Sequence, residues 1–175
     1  MFWVEYVDNI LFVGEKDKIF SEINELKKWF EHTIKDYISE YIGCNLVVKD
    51  EEIIIHQRKM IENLYRYFQD ELKSFKKKNI PMTQGDHVIR PECDKDLDLT
   101  FDYFKNYQSG VGLLLYIVRH SRPDLSNCVR ELSKSMTLTT RDNYKKLLRV
   151  IRYIYYTKDY TLNLKKYQIT DFIKW

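Results

Sequence analysis

A chain of 175 residues with 29 Lys and Arg against 26 Asp and Glu carries a net charge of +3, which by itself predicts neither nucleic-acid nor membrane binding. Its 44% hydrophobic and 31% charged residues make a globular composition able to bury a core, and exclude a disordered chain. No apolar run approaches the roughly 20 residues of a spanning helix, and Glu5 and Asp8 break the N-terminal stretch before it can act as a signal peptide, so the expected location is intracellular, cytoplasmic or nuclear, with no membrane partner and no secretion.

Residues 2–13 read as two short β-prone arms joined at an acidic tip, with Asp8-Asn9 as the pair that best tolerates the positive φ of a tight turn. Ile19, Ile23, Leu26 and Phe30 then share one helical stripe and predict a helix over 16–31. Two β-prone runs, 41–48 and 52–56, flank the polar Lys49-Asp50-Glu51 and predict a second hairpin. This β-α-β-β order is typical of an α+β layer. Ile61, Leu64, Phe68, Leu72 and Phe75 predict a helix over 57–76 that runs into Lys76-Lys77-Lys78, cations that suit a helix C-terminus.

Residues 80–99, broken by Pro81, Gly85 and Pro91, read as an irregular, solvated linker and as the best boundary in the chain. Asp94, Asp96 and Asp98 lack the glycine and terminal glutamate of a calcium loop. Beyond it the pattern is helical. The expected helices cover 101–120, a segment starting at Pro123 with Leu125, Val129, Leu132 and Met136 on one face, and 142–156 with Leu147, Ile151 and Ile154. Residues 160–164 alternate as a strand does. Cys44, Cys93 and Cys128 are odd in number and far apart, and the four histidines are scattered, so neither a disulfide framework nor a metal site is expected from them.

Four segments carry a resemblance. They are Tyr6-Val7-Asp8-Asn9 with residues 10–14; Ile34-Lys35-Asp36 leading to Tyr41-Ile42-Gly43; Gln57 with Ile61 and Phe68; and residues 107–116 (Tyr-Gln-Ser-Gly-Val-Gly-Leu-Leu-Leu-Tyr) followed by Ser121-Arg122-Pro123-Asp124-Leu125. In this order they resemble the reverse transcriptase domain of copia-type LTR retrotransposon Pol polyproteins. The first resembles the Tyr-X-Asp-Asp box, with Asn9 where the second Asp stands. Residues 149–157 are similar to a family segment ending in Tyr-Leu-X-Gly-Thr, with Tyr156 in place of the glycine. The likeness covers about residues 4–164, and Ile169-Thr170-Asp171 through Trp175 resembles the start of a ribonuclease H region.

The resemblance implies an α+β fragment: the end of a palm over 1–56, a thumb helix over 57–79, a linker over 80–100, a helical thumb and connection over 101–160, and a worn ribonuclease H start over 161–175. It implies an ancestral RNA-directed DNA polymerase that used two magnesium ions held by converging carboxylates. Asp8 is the relict catalytic and metal residue. The chain starts five residues before Tyr6, so the upstream palm Asp is expected to be absent, and the chain alone is expected to be inactive and to need no cofactor.

Two other functions stay open. One is a non-catalytic module for an RNA/DNA template–primer duplex, held by Lys73, Lys76, Lys77, Lys78, Arg122, Lys145, Arg149 and Arg152, with Arg119 and Lys146 as further cations. Lys145, Arg149 and Arg152 also fit a merely solvated helix face. The other is a helical interaction protein that self-associates through exposed palm surface around Phe2, Val4 and Tyr6.

Overall fold

Strand alternation and helical stripes each find a partner in this chain, in two separate compact units, Met1–Ile38 and Ser39–Trp175. A computed structural model describes residues 1–7, 9–35, 37–73, 76, 79–89 and 101–165, with 101 and 102 in backbone only.

In the first unit β1 (Phe2–Tyr6) pairs antiparallel with β2 (Asn9–Val13), from Phe2 opposite Val13 to Tyr6 opposite Asn9. The turn therefore begins at Val7, one residue earlier than the Asp8-Asn9 tip that the sequence suggests, and Asp8 itself lies outside the described residues. Pairing of Asn9 with Tyr6 decides it. Helix α1 (Lys16–Leu26) stops short of the expected 31. The amides of Trp29 and Phe30 both turn back to the Leu26 carbonyl, and Phe30, the fourth member of the predicted stripe, is left exposed.

In the second unit a four-stranded antiparallel sheet runs in the order β3-β4-β5-β6: β3 (Glu40–Tyr41), β4 (Cys44–Val48), β5 (Glu52–His56) and β6 (Leu162–Lys165). The expected strand over 41–48 is broken at Ile42-Gly43, where φ values of 48° and 65° form a tight turn of the kind that closes two-residue hairpins. Glycine accepts that conformation freely; Ile42, β-branched, does not. The Tyr116 hydroxyl donates to the Ile42 carbonyl at 2.7 Å and helps hold the turn against that strain. The contact ties this turn to α4, and β3–β5, which the sequence groups with the first hairpin, belong to the unit that holds the helices.

The helical layer contains α2 (Arg58–Tyr67), α3 (Gln69–Leu72), α4 (Phe101–His120), α5 (Ser126–Ser133) and α6 (Arg141–Tyr156). The predicted helix over 57–76 bends at Phe68, a fully buried ring whose amide closes a tight turn on the Tyr65 carbonyl. Phe75 lies outside the described residues. Thr140 caps α6 by accepting from the Asn143 amide at 3.2 Å. The stripes read from sequence meet in one core of Ile61, Leu64, Phe68, Leu72, Val111, Leu114, Leu132, Leu147 and Ile151. At Gly110 helix α4 comes so close to its neighbours that a β-carbon would sit 2.9 Å from Leu147 and 3.0 Å from Phe68.

The expected solvated linker behaves differently. Residues 79–89 have no regular structure, yet Val88 is buried in the core and Met82 packs against it. Residues 90–100, with Asp94, Asp96 and Asp98, lie outside the described residues, as do residues 166–175 with the resemblance to ribonuclease H.

Candidate nucleic-acid interface

Helix α6 carries the cations that sequence reading assigns to a duplex, and its apolar side is turned into the core at Leu147, Val150, Ile151 and Ile154. Its opposite side bears Lys145, Arg149 and Arg152. Lys145 is exposed and makes no ion pair with the described residues. The other two are engaged by the protein itself. Arg149 donates from Nη1 to the Thr83 hydroxyl at 2.9 Å and from Nη2 to the Ile80 carbonyl at 3.5 Å. Arg152 donates from Nη1 to the Leu72 carbonyl at the end of α3 and lies over the Tyr156 ring, 5.6 Å from its centre.

Two neighbours complete a row. Asn143 donates to the Ile89 carbonyl at 2.8 Å and to Ser135 Oγ at 2.9 Å. Lys146 bonds the His87 carbonyl at 2.8 Å, Asp86 at 3.1 Å and Asp142 at 2.9 Å. Burial opposes the charge on Lys146, but the hydrogen bonds to Asp142 and Asp86 outweigh it and hold the ammonium above the usual lysine range. Residues 143, 146, 149 and 152 follow the i+3 ridge of α6, rising about 4.5 Å per step, and residues 79–89, which meet Arg149, Lys146 and Asn143 in that order, cross the helix obliquely and antiparallel to it. That segment is a strap, fastened by side chains that look, in sequence, like a solvated or phosphate-binding face.

On α5, Glu131 fastens the same strap. It is 9% exposed, bonds Lys134 at 2.5 Å and lies 3.6 Å from His87. The Lys134 hydrogen bond holds its carboxyl below the usual range against the opposing effect of burial, helped by the Val88 amide and His87.

Arg122 serves a different purpose from the expected one. It is 1% exposed, grips Asp124 at two points (2.9 and 2.8 Å), bonds the carbonyl and hydroxyl of Thr157 at 3.0 Å each, and lies 5.3 Å from the centre of the Tyr160 ring. Its fork fastens the end of α6 to the turn that starts α5. It therefore leaves the exposed basic set. An open groove of about 680 Å³ beside it is lined by Asp124, Tyr153, Asp159 and Tyr160, but both carboxylates are already paired, Asp159 with Arg58 at 2.9 Å.

Of the remaining cations, Lys73 is exposed and pairs with Asp70 at 2.7 Å, Lys76 is exposed, and Lys77 and Lys78 lie outside the described residues. Because Arg152 bonds the Leu72 carbonyl, the structure does bring Lys73 next to Arg152. A magnesium ion needs several converging carboxylates. Among the described residues no group of three or more His, Cys, Asp or Glu side chains is placed to hold a metal ion, and Asn9 offers only a neutral amide. The described residues do not fit such a site.

Aligned over 95% of its length, the chain is 26% identical to the retrovirus-related Pol polyprotein from transposon RE2 of Arabidopsis thaliana. It is similar to retrotransposon Pol polyproteins. A transposon Ty5-1 protein of Saccharomyces cerevisiae is 25% identical over 91% of the chain, and the Pol polyprotein from transposon TNT 1-94 of Nicotiana tabacum is 22% identical over 85%. The chain spans 50% of the yeast relative and 11% of each of these two plant polyproteins. No protein-family model and no solved structure matches it. The relatives support a retrotransposon-derived protein.

Sequence reasoning missed Asn143, Thr157 and the oxygens of the strap. A cation or amide at every third residue of a helix, Asn143-Lys146-Arg149-Arg152, was the available signal. It marks a ridge, and ridges pack against chain.

Proposed function

We propose that the chain is the palm-end, thumb and connection portion of a copia-type retrotransposon reverse transcriptase, descended from an RNA-directed DNA polymerase, and that alone it holds a template–primer hybrid without extending it. One observation carries the reading. The first hairpin of the Tyr-X-Asp-Asn sequence closes with Tyr6 opposite Asn9, and Val7 sits in the turn at φ 56°. A β-branched residue in that region costs on the order of 1–3 kcal/mol, and such strain gathers where a neighbouring group must be aimed. The similarity to Pol polyproteins supports the same reading.

Lys73, Lys76 and Lys145 are the exposed described cations of the assigned set. They would meet phosphates, so binding should depend on salt and barely on base sequence. Fluorescence anisotropy with a short RNA–DNA hybrid tests this: affinity is expected to fall steeply between about 50 and 200 mM salt. Absent or salt-insensitive binding sinks the reading. Magnesium-dependent primer extension is expected to stay at background for the chain and for Asn9→Asp, since one restored carboxylate does not make a cluster.

A second reading, self-association through the first hairpin, is favoured by its exposed Phe2, Trp3, Val4, Tyr6, Ile10 and Val13, which make both faces apolar. Light scattering that stays monomeric as concentration rises excludes it.

A further inference from the structure

We infer that the strap of residues 79–89 is an internal substitute for nucleic-acid phosphates, and that it conceals a phosphate-binding face on α6 made by Lys146 and Arg149 beside the open Lys145, with Arg152 next along the same ridge. The inference rests on the nucleic-acid reading above and goes further, because it says which surface binds and what must move first.

Three observations support it. Arg149 and Lys146 are held by oxygens of one passing segment, the Thr83 hydroxyl and Ile80 carbonyl on Arg149 and the His87 carbonyl and Asp86 carboxylate on Lys146, which also pairs with Asp142 of its own helix, while Arg152 is held by the Leu72 carbonyl at the end of α3 and by the Tyr156 hydroxyl at 3.5 Å. A row of oxygen acceptors laid along a helix is what a phosphate backbone also offers.

Secondly, the guanidinium groups along this ridge are poorly matched by their present partners. The Nε atoms of both Arg149 and Arg152 are buried without a hydrogen-bond partner among the described residues. A guanidinium fork is matched by a group that takes Nε and Nη together, as phosphate does and a lone carbonyl does not. An unsatisfied buried donor costs about 1–3 kcal/mol, so these two arginines are held in a compromise that an anion relieves.

Thirdly, the strap has no helix or strand of its own, and among its residues only Val88 is buried. Apart from Val88 in the core and Met82 packed against it, its attachment is by side-chain hydrogen bonds, and these can be exchanged one for one. Asp86 is the one strap carboxylate bonded to the face, where it stands in for a phosphate charge.

The test uses the full chain and a short RNA–DNA hybrid. Hydrogen exchange of the strap amides, Val88 in particular, is measured with and without saturating hybrid at low salt. Exchange is expected to quicken on binding, since the strap is displaced; unchanged or slowed exchange with hybrid bound overturns the inference while leaving the nucleic-acid reading intact. The double variant Thr83→Ala with Asp86→Ala removes strap oxygens without touching α6, and is expected to bind the hybrid at least threefold more tightly. Adding Arg149→Ala should cancel the gain. A variant whose strap exchanges faster but whose affinity is unchanged also overturns it. No binding by any form, at any salt, means that the nucleic-acid reading itself has failed.

Discussion

The two units solve opposite problems. Met1–Ile38 carries the first hairpin, yet among its described residues only Ile23 is buried, and Phe2, Trp3, Val7, Trp29, Phe30 and Tyr37 are all exposed. Ser39–Trp175 has a core drawn from helices α2 to α6, and uses its arginines to tie loops down. A two-stranded hairpin with one short helix is too small to be stable by its own burial, whereas the larger unit is not. Cooperative unfolding should therefore report the second unit alone.

Truncating the core sharpens that contrast most. Leu114→Ala is expected to lower unfolding free energy by about 2–5 kcal/mol in a denaturant titration, through lost burial and a residual cavity. Ile23→Ala, an apparently equivalent change, should leave the same transition within about 0.5 kcal/mol. A shared loss would show that the units unfold as one.

Arg122→Ala comes next, at about 2–3 kcal/mol. It leaves the Thr157 carbonyl without its donor and Asp124 unpaired, and Asp124 is exposed enough to keep the cost below the 3–5 kcal/mol typical of a fully buried pair. Gly110→Ala should cost about 1–3 kcal/mol by forcing Leu147 and Phe68 apart, where a helical Gly→Ala change in open space would stabilise. Gly112, on the same helix with nothing near its missing β-carbon, supplies that control.

The smallest effect depends on pH. Glu131 has its folded value depressed by Lys134, so its contribution is present above the ordinary glutamate value of about 4.3 and is lost as pH falls through the lower folded value. Melting temperatures of the parent and Glu131→Gln should differ at pH 6 and converge toward pH 3. A gap that persists at low pH would mean that packing, not charge, fastens the strap.

Most of the larger unit was legible. Stripes such as Leu147, Ile151 and Ile154 fix a helix because only one side can leave water, and Arg122-Pro123-Asp124 marked a start because proline presets the backbone. The turns were less so: Ile42 and Val7 stand where propensity puts strand, and only pairing across the chain places them at positive φ. Pro81 and Gly85 make the strap look solvated because they disfavour regular structure, but irregular chain can still be tied by distant donors. Arg149 and Arg152 look alike in sequence whether they face phosphate or a carbonyl. What separated them from Lys145 was the position of residues far away in the chain.

Strand β6 closes a sheet begun much earlier, since Leu162 pairs with Ile55 and Leu164 with Ile53. At synthesis rates of roughly 5–20 residues per second, the open edge of β5, with Ile53, Ile54 and Ile55 in a row, must wait roughly 5–20 s for its partner. The nascent chain thus carries β5 with one open apolar edge while the residues between the two strands are made, and until β6 emerges that edge is available to strands of other chains.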